Sequence, residues 1–333
     1  MRVPGWHNRT VFKMPTHSER GDMTATSILN GWNASMTDRF GKDTILFNHR
    51  LRETGMFTEQ ALAELIERYP AEHYNINTMG FDPANPAWRE GEVGNVSGAD
   101  TIAAIKKGRM WLDMRKVAAV DAEYKKVLDQ IFSEFEGVIP GLKTFKRNLG
   151  ILVSSPKVQV FYHADVPGQS LWQLEGVKRV YIYEPREPFL SKESLEGIIM
   201  GLTEEEIPYR KSFDDEATVV DLEPGQALTW PLNGPHRIEN HDCLNISVTT
   251  EHWTSTIRNS YAVNYANGIL RRRFGMTGMN AQPSGLHVYP KAAMALGWKK
   301  LNLGSAEKVV RKVDFRVNPE QPAGIMDIPA YVK

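Results

Sequence analysis

Apolar residues in the first part of the chain recur mainly at helical spacing. Residues 58–70 form the clearest case, because Thr58 can cap a helix there and Pro70 ends it. The apolar stripe of this helix comprises Ala61, Leu62, Leu65, Ile66 and Tyr69. The same reasoning predicts helices at about 99–107 and 121–135, strands at 74–79 and 110–114, and a loop rich in Pro, Gly and Asn at 82–98.

From about residue 150 the pattern changes to short runs rich in Val, Ile, Tyr and Trp, separated by turns. These runs lie at 158–162, 177–183, 217–222, 227–230 and 244–250. Closely spaced strands with few long helices indicate an antiparallel barrel or jelly roll. A helix follows at about 259–274, and the tail, with prolines at positions 319, 322 and 329, is expected to be irregular.

The expected fold class is therefore α+β with a mainly β core and flanking helices at both ends. Three regions are predicted: a mixed, mainly helical region at 1–149, a catalytic core at 150–255, and a helical segment with an irregular tail at 256–333. The first boundary is soft, because the strands at 74–79 and 110–114 are candidates to join the barrel sheet.

Composition narrows the possible functions. The formal net charge is zero and the pI is about 7.1, so no overall field favours nucleic acid or an anionic membrane. Cys243 is the only cysteine, which excludes an intrachain disulfide and fits a reducing compartment. Neither a signal peptide nor an apolar membrane span is recognisable, so a soluble cytoplasmic protein is expected.

The candidate chemistry lies in two short segments of the predicted core. His163 and Asp165 are two positions apart, so on a strand both side chains point to the same side. His236 follows Pro235 in a loop after another predicted strand. Two histidines and one carboxylate are the ligands of mononuclear non-haem iron, and they leave coordination positions open. Between the two segments, Lys178 is a cation on a strand that otherwise has a core pattern.

At these residues the chain resembles the JmjC and cupin-like branch of the Fe(II)- and 2-oxoglutarate-dependent oxygenases. Residues 162–185, YHADVPGQSLWQLEGVKRVYIYEP, match the family's His-x-Asp, its following Gly-x-Lys-Arg and its strand closing on Pro. Residues 222–240 match the Pro-Gly-Asp segment that leads to the second histidine, with Gln226 in place of the usual Asp. The resemblance covers about 150–255 and implies a double-stranded β-helix (jelly roll, or cupin) core.

The resemblance implies a role for each matching residue. His163, Asp165 and His236 would bind Fe(II), and Lys178 would pair with the distal carboxylate of 2-oxoglutarate, the co-substrate. Many relatives carry a hydroxyl three positions before the first ligand, where this chain has Val160. Asn245 and Ser247 lie on a strand that is expected to cross near the metal. Both are further candidates for contact with a co-substrate carboxylate.

The expected activity is that of a dioxygenase, either a hydroxylase or an N-demethylase, which releases succinate and CO2. Dioxygen is a further substrate, and the main substrate is a small molecule, a peptide or a protein. The alternatives are a non-oxygenase metal-binding cupin, either an isomerase or hydrolase or a small-molecule sensor, and a scaffold with a vestigial metal site. The helix at 259–274 and the tail are candidates for a homodimer interface.

Each candidate also has a plain structural interpretation. His163 and Asp165 could form an ordinary ion pair, and Lys178 could be a surface lysine beside Arg179. The same applies more strongly to His241 and His252, which are expected to be structural, although His252 lies near the predicted barrel mouth.

Overall fold

A computed structural model describes residues 26–84, 87–203, 205–303 and 312–332. The β-strands of these residues belong to a larger and a smaller sheet. The first 25 residues, where no signal peptide was predicted, lie outside the described residues. The strands are β1 Leu29–Asn30, β2 Ile45–His49, β3 Tyr74–Met79, β4 Trp88–Glu92, β5 Met110–Met114, β6 Phe145–Ser154, β7 Gln159–His163, β8 Gly168–Glu175, β9 Lys178–Ile182, β10 Thr218–Leu222, β11 Gln226–Thr229, β12 His236–Asn240, β13 Asn245–Trp253, β14 Lys312–Val317 and β15 Ile325–Val332.

Helices lie mainly before and after the strands of the barrel. They are α1 Ala34–Arg39, α2 Glu59–Glu67, α3 Gly98–Lys107, α4 Val117–Val120, α5 Ala122–Val138, α6 Lys192–Met200, α7 Ser255–Phe274 and α8 Val288–Lys300. The predicted cap of α2 is confirmed, because the Thr58 side chain accepts a hydrogen bond from the Ala61 amide. Helix α7 begins before residue 259, because Thr254 caps it in the same way. No helix in the described part of the chain is both long enough and apolar enough to span a membrane.

Eight consecutive strands, β6 to β13, build the barrel. In the larger sheet the neighbours run β6–β13–β8–β11, and in the smaller sheet they run β7–β12–β9–β10. All pairings within these two groups are antiparallel. The chain passes repeatedly from one sheet to the other, with β9 and β10 forming the one hairpin that stays in a single sheet. This is the connectivity of a double-stranded β-helix and confirms the predicted jelly-roll core.

The larger sheet extends beyond the barrel on both sides. Strands β2 and β1 continue it next to β11, and β5, β3, β4, β14 and β15 continue it next to β6. The strands predicted at 74–79 and 110–114 thus lie in the same sheet as the barrel strands.

Two predictions about irregular segments are wrong. The expected loop at 82–98 contains β4, whose pairing with β3 on one side and β14 on the other defines it as a strand. The expected irregular tail contains β14 and β15, and Pro329 lies in β15 at the edge of the sheet, where a missing amide donor is tolerated. The apolar pattern of neither segment predicts a strand. Pairing with neighbouring strands selects the extended conformation of both segments instead.

Alternation along β8 separates two cores. Trp172 packs on the helix side of the larger sheet against Phe47 and Phe135, with ring centroids 5.3 and 6.0 Å away. Its neighbour Leu171 belongs to the cluster inside the barrel, together with Ile238 of the smaller sheet. The helices therefore stabilise the outer face of the larger sheet and leave the barrel interior for the site.

Candidate metal centre

Three side chains that the sequence predicts as ligands converge at one end of the barrel. His163 ends β7, His236 begins β12, and the two residues are paired across these neighbouring strands. Asp165 lies two positions beyond the end of β7. One potential ligand atom from each of the three side chains lies within 4.8 Å of the others. His236 Nε2 is 3.5 Å from Asp165 Oδ2, and the two imidazole centroids are 4.1 Å apart.

Backbone carbonyls orient both imidazoles. His163 Nδ1 lies 2.7 Å from the Phe161 carbonyl oxygen, and His236 Nδ1 lies 3.1 Å from that of Gly234. A proton on each Nδ1 leaves Nε2 unprotonated and free to bind a metal. Local backbone geometry thus selects the tautomer that a metal ligand needs.

The segment that carries Asp165 is fixed through its backbone. Asn233 Nδ2 donates to the Asp165 carbonyl oxygen at 2.7 Å, and the Ala164 amide donates to the Glu205 carbonyl oxygen at 3.1 Å. Asn233 itself has a φ of +59°, in the left-handed region that few residues other than Gly and Asn adopt. The turn before His236 therefore also holds the segment of Asp165.

The electrostatics of the three groups fit a bound cation. Burial lowers the pKa of His236 well below its usual value, with a further contribution from His163. Burial raises the pKa of Asp165, which the nearby His163 opposes. Imidazole nitrogens and a carboxylate are a donor set that suits a divalent metal. Two nitrogens and one oxygen on one face, with open positions, match non-haem Fe(II).

Lys178 points into the barrel. It is 1% exposed, whereas the neighbouring Arg179 faces outward and pairs with Asp221. Adjacent residues on a strand face opposite sides, so the two side chains point in opposite directions. Burial lowers the pKa of Lys178 to about 7, and no charged neighbour contributes to the shift. A lysine in such a place lacks the anion that would stabilise its charge.

Asn245 and Ser247 lie inside the barrel, at 0% exposure each, but both are engaged with another side chain. Gln173 Nε2 donates to Asn245 Oδ1 at 2.7 Å, and Ser247 Oγ donates to Gln173 Oε1 at 2.7 Å. The structure therefore places these two residues in a buried polar network centred on Gln173, and does not bring them to the three candidate ligands.

Two other histidines have structural surroundings. His252 packs between Phe40 and Phe132, with ring centroids 5.7 and 5.5 Å away, and burial lowers its pKa to about 4. His241 pairs with Asp221 on the surface at 3.0 Å. The structural interpretation of both residues is thereby supported.

A cavity of about 730 Å³ opens above the three candidate ligands. Val160 lies in its wall, so the position where relatives carry a hydroxyl is apolar and faces the cavity. Beyond the predicted residues, the wall includes Glu251 of β13 and polar or aromatic side chains of β3, β4 and β5. Glu251 could have been found from the sequence, because it shares strand parity with Asn245 and Ser247. Nothing in the sequence indicates that β3, β4 and β5 reach the same cavity.

Comparison with known proteins gives matches at the level of solved structures. The chain is similar to E. coli YcfD, with a TM-score of 0.48 at 16% identity, over 84% of this chain and 69% of that one. A second structure, described as the E. coli ribosomal oxygenase YcfD, gives a TM-score of 0.46 at 15% identity, over 84% of this chain and 68% of that one. A third, of YcfD in complex with cobalt and 2-oxoglutarate, gives a TM-score of 0.44 at 16% identity, over 81% of this chain and 65% of that one.

No protein-family profile and no curated protein matches the chain. Since these three structural matches have TM-scores below 0.5, the case for a function rests on the chain's own residues.

Proposed function

We propose that the protein is an Fe(II)- and 2-oxoglutarate-dependent oxygenase. The observation that supports this most is the convergence of His163, Asp165 and His236 inside a jelly-roll barrel that also contains a buried cation, Lys178, without a charged partner among the described residues. Iron explains the first feature, and an anionic co-substrate explains the second.

In this proposal His163, Asp165 and His236 would hold iron, and a site with only three protein ligands would leave room for co-substrate and dioxygen. Bound iron supplies the activation of dioxygen, coupled to conversion of 2-oxoglutarate into succinate and CO2. The chain's own residues fix the geometry: the Phe161 and Gly234 carbonyls keep both imidazoles in the ligand tautomer. The segment of Asp165 is held by Asn233.

Lys178 would bind the distal carboxylate of 2-oxoglutarate. On β9, Ile182 is level with His236, and Lys178 lies four positions away on the same inward face. That offset is about 13 Å at the rise of an extended strand. The four-carbon stem of a lysine and a five-carbon dicarboxylate can together span such a separation. A bound carboxylate would also give the buried amine the anion that it lacks.

Asn245 and Ser247 have an indirect part in this proposal. Their hydrogen bonds with Gln173 fix the barrel wall on β13 and β8. Asn240 pairs with Lys178 across β12 and β9, and its side chain donates to Ser154 Oγ at 2.9 Å. Asn240 and Ser154 are therefore candidates to donate to the co-substrate carboxylate in place of the hydroxyl that many relatives carry at the position of Val160.

The reaction we propose is oxidation of a substrate C–H bond. Attack on a carbon gives an alcohol, and attack on an N-methyl group gives a demethylated amine and formaldehyde. Both outcomes require the same metal ligands and the same co-substrate anchor. They differ only in which substrate carbon lies nearest to the metal.

The test is anaerobic addition of Fe(II) and then 2-oxoglutarate to metal-free protein. A weak visible charge-transfer band is expected when the chelate forms. It should be absent in Asp165→Ala, which removes a ligand, and in Lys178→Ala, which removes the anchor. Asp215→Ala, an exposed aspartate, is the matched control and should keep the band. One iron bound per chain with no band in the wild type would instead support the non-oxygenase cupin.

A further inference from the structure

A second cavity lies outside the barrel, between α6, α7 and α8. Its volume is about 500 Å³, which is in the range of sites for small organic molecules. Val166 lines it beside the segment of Asp165, but none of its described lining residues also lines the cavity above the candidate metal ligands. The proposed oxygenase reaction therefore leaves this second cavity unused.

Four aromatic rings line the second cavity. Trp253 lies at the end of β13, Tyr261 and Tyr265 belong to α7, and Trp298 belongs to α8. Trp253 meets Tyr261 edge-on with centroids 5.5 Å apart, and Tyr261 is stacked with Tyr265 at 6.2 Å. Flat ring systems pack well against aromatic faces and edges, so this wall favours an aromatic ligand.

Two hydrogen-bond donors lie side by side in the same wall. Lys299 Nζ donates to the Tyr261 hydroxyl oxygen at 2.6 Å. This contact uses one of the three N–H groups of the ammonium, and it leaves the hydroxyl hydrogen of Tyr261 without an acceptor among the described residues. Asn302, which also lines the cavity, carries a further amide donor. A carboxylate can accept from the ammonium and the hydroxyl together, and charge-assisted hydrogen bonds of this kind are strong.

The position of Lys299 also excludes a cationic occupant. Its Nζ lies 4.5 Å from the ring centroid of Tyr261 and 4.7 Å from that of Tyr265. The tyrosine faces on which an organic cation would bind are therefore already covered by an ammonium group. A second cation there would be repelled, because like charges at this separation destabilise each other.

The charge around the second cavity has the same sign. No carboxylate is among its described lining residues, and neither α7 nor α8 contains an Asp or a Glu. Lys146 and Arg273 lie over the two tryptophan rings, at 5.5 and 6.0 Å from the centroids. The nearby Glu196 of α6 is buried in ion pairs with Arg271 and Arg272. The surplus of positive charge favours an anionic ligand.

We propose that the second cavity binds an aromatic carboxylate. The ring packs against the tryptophan and tyrosine side chains, and the carboxylate accepts hydrogen bonds from Lys299 and Tyr261. This inference does not rest on the proposed oxygenase function, because the cavity shares no described lining residue with the candidate metal centre.

The experiment is calorimetric titration of the metal-free full chain with three probes that share one ring and differ in charge. They are indole-3-acetate, which is an anion, tryptophol, which is neutral, and tryptamine, which is a cation. We expect indole-3-acetate to bind at least about tenfold more tightly than either of the others, as a charged hydrogen bond implies. Decanoate, an alkyl carboxylate, should bind more weakly than indole-3-acetate, because it cannot stack on the rings.

Lys299→Met keeps the length of the side chain and removes its charge, so it should weaken binding of indole-3-acetate at least about tenfold. Tyr261→Phe keeps the ring and removes the hydroxyl, so it should weaken binding by a smaller factor. Lys300→Met is the matched control, since Lys300 is exposed and lies outside the lining, and it should bind as the wild type does.

A further variant separates this cavity from the barrel. Lys178→Met should bind indole-3-acetate as the wild type does, because Lys178 lies inside the barrel. Loss of binding in Lys178→Met would show that the probe occupies the barrel, and would overturn the inference.

The wild-type titrations can overturn the inference without any variant. Equal binding of the three indoles, preference for tryptamine, tighter binding of decanoate, or no binding of indole-3-acetate would each do so. Because the protein is metal-free throughout, the result is independent of the chelate band that tests the oxygenase.

Discussion

At the residue scale, Lys178 has the least ordinary environment in the site. A fully buried amine without an anion destabilises the fold by itself, because its charged form has lost water. Methionine at this position would have a similar length and no charge. A lysine at a position where an apolar residue would be more stable indicates a role in binding an anionic ligand. In the oxygenase proposal this ligand is 2-oxoglutarate.

We predict that Lys178→Met stabilises the ligand-free protein and weakens 2-oxoglutarate binding at least about tenfold, since hydrogen bonds to charged groups contribute about 1.5–3 kcal/mol. Thermal unfolding with and without 2-oxoglutarate measures both effects. Arg179→Met is the control, because Arg179 lies on the outer face in an exposed pair with Asp221, and its replacement should change neither quantity much. Unchanged 2-oxoglutarate affinity in Lys178→Met would remove the anchor from the mechanism.

The same residue predicts a pH dependence. Burial lowers the pKa of Lys178 to about 7 in the folded chain, from 10.5 when unfolded. Between these values the unfolded chain holds the extra proton, so this group makes folding more favourable as pH rises. The stability advantage of Lys178→Met should therefore be largest below about pH 7 and shrink above it. Wild-type affinity for 2-oxoglutarate should fall as pH rises through 7, because the anion binds the protonated amine.

At this scale the sequence predicts some site residues and misses others for physical reasons. His163 and Asp165 are visible because strand spacing places them on one side, and Lys178 because an isolated cation interrupts a core strand. Glu90 of β4 and Trp111 of β5, which line the cavity above the candidate ligands, cannot be recognised as site residues from the sequence. Their alignment depends on how β4 and β5 pair with β3, and no local pattern encodes such a long-range register.

At the scale of elements, the turn from β11 to β12 positions two ligands. It ends directly at His236, and its Asn233 binds the carbonyl of Asp165. The turn needs a left-handed residue, and Asn supplies that conformation together with the side-chain amide.

We predict that Asn233→Ala destabilises the protein by about 1–3 kcal/mol, because alanine is strained at this backbone conformation. Asn233→Gly should be less destabilised, since glycine accepts a positive φ freely. Both variants lose the hydrogen bond to Asp165 and should therefore bind Fe(II) more weakly. Chemical denaturation gives the first comparison and metal titration the second. Wild-type iron affinity in the glycine variant would show that this hydrogen bond does not position Asp165.

Elements with a strong local pattern follow the sequence closely. The helices at α2, α3 and α5 and the strands β3, β5, β7 and β9 to β11 lie within a few residues of their predicted positions. Strands β4, β14 and β15 do not, because their conformation comes from pairing with distant strands. Tertiary context overrides local preference more readily in strands than in helices.

At the scale of the whole molecule, apolar side chains are exposed around the end of α7 and along α8. The most exposed are Phe274, Leu286, Tyr289, Leu296 and Leu301, at 67–85%. Concentrated exposure of this kind is typical of an interface. We predict that the protein forms a homodimer through this surface, which overlaps the helix expected at 259–274 but lies mainly on α8 and not on the tail that was also a candidate.

Light scattering coupled to size exclusion tests this prediction. The wild type should elute as a dimer, and the double variant Leu286→Glu with Leu296→Glu should elute as a monomer while still binding Fe(II). A wild type that is monomeric at high micromolar concentration would contradict it.

The pairing of β14 with β4 has a consequence for the order of folding. It joins Val313 to Glu90, 223 positions apart in the chain, whereas the two histidine ligands are only 73 positions apart, at 163 and 236. Contacts between distant segments form slowly, because a longer loop must close first. The metal centre is therefore expected to assemble before the outer wall of the cavity above it, which includes β4, so that a folding chain could bind iron before this wall has formed.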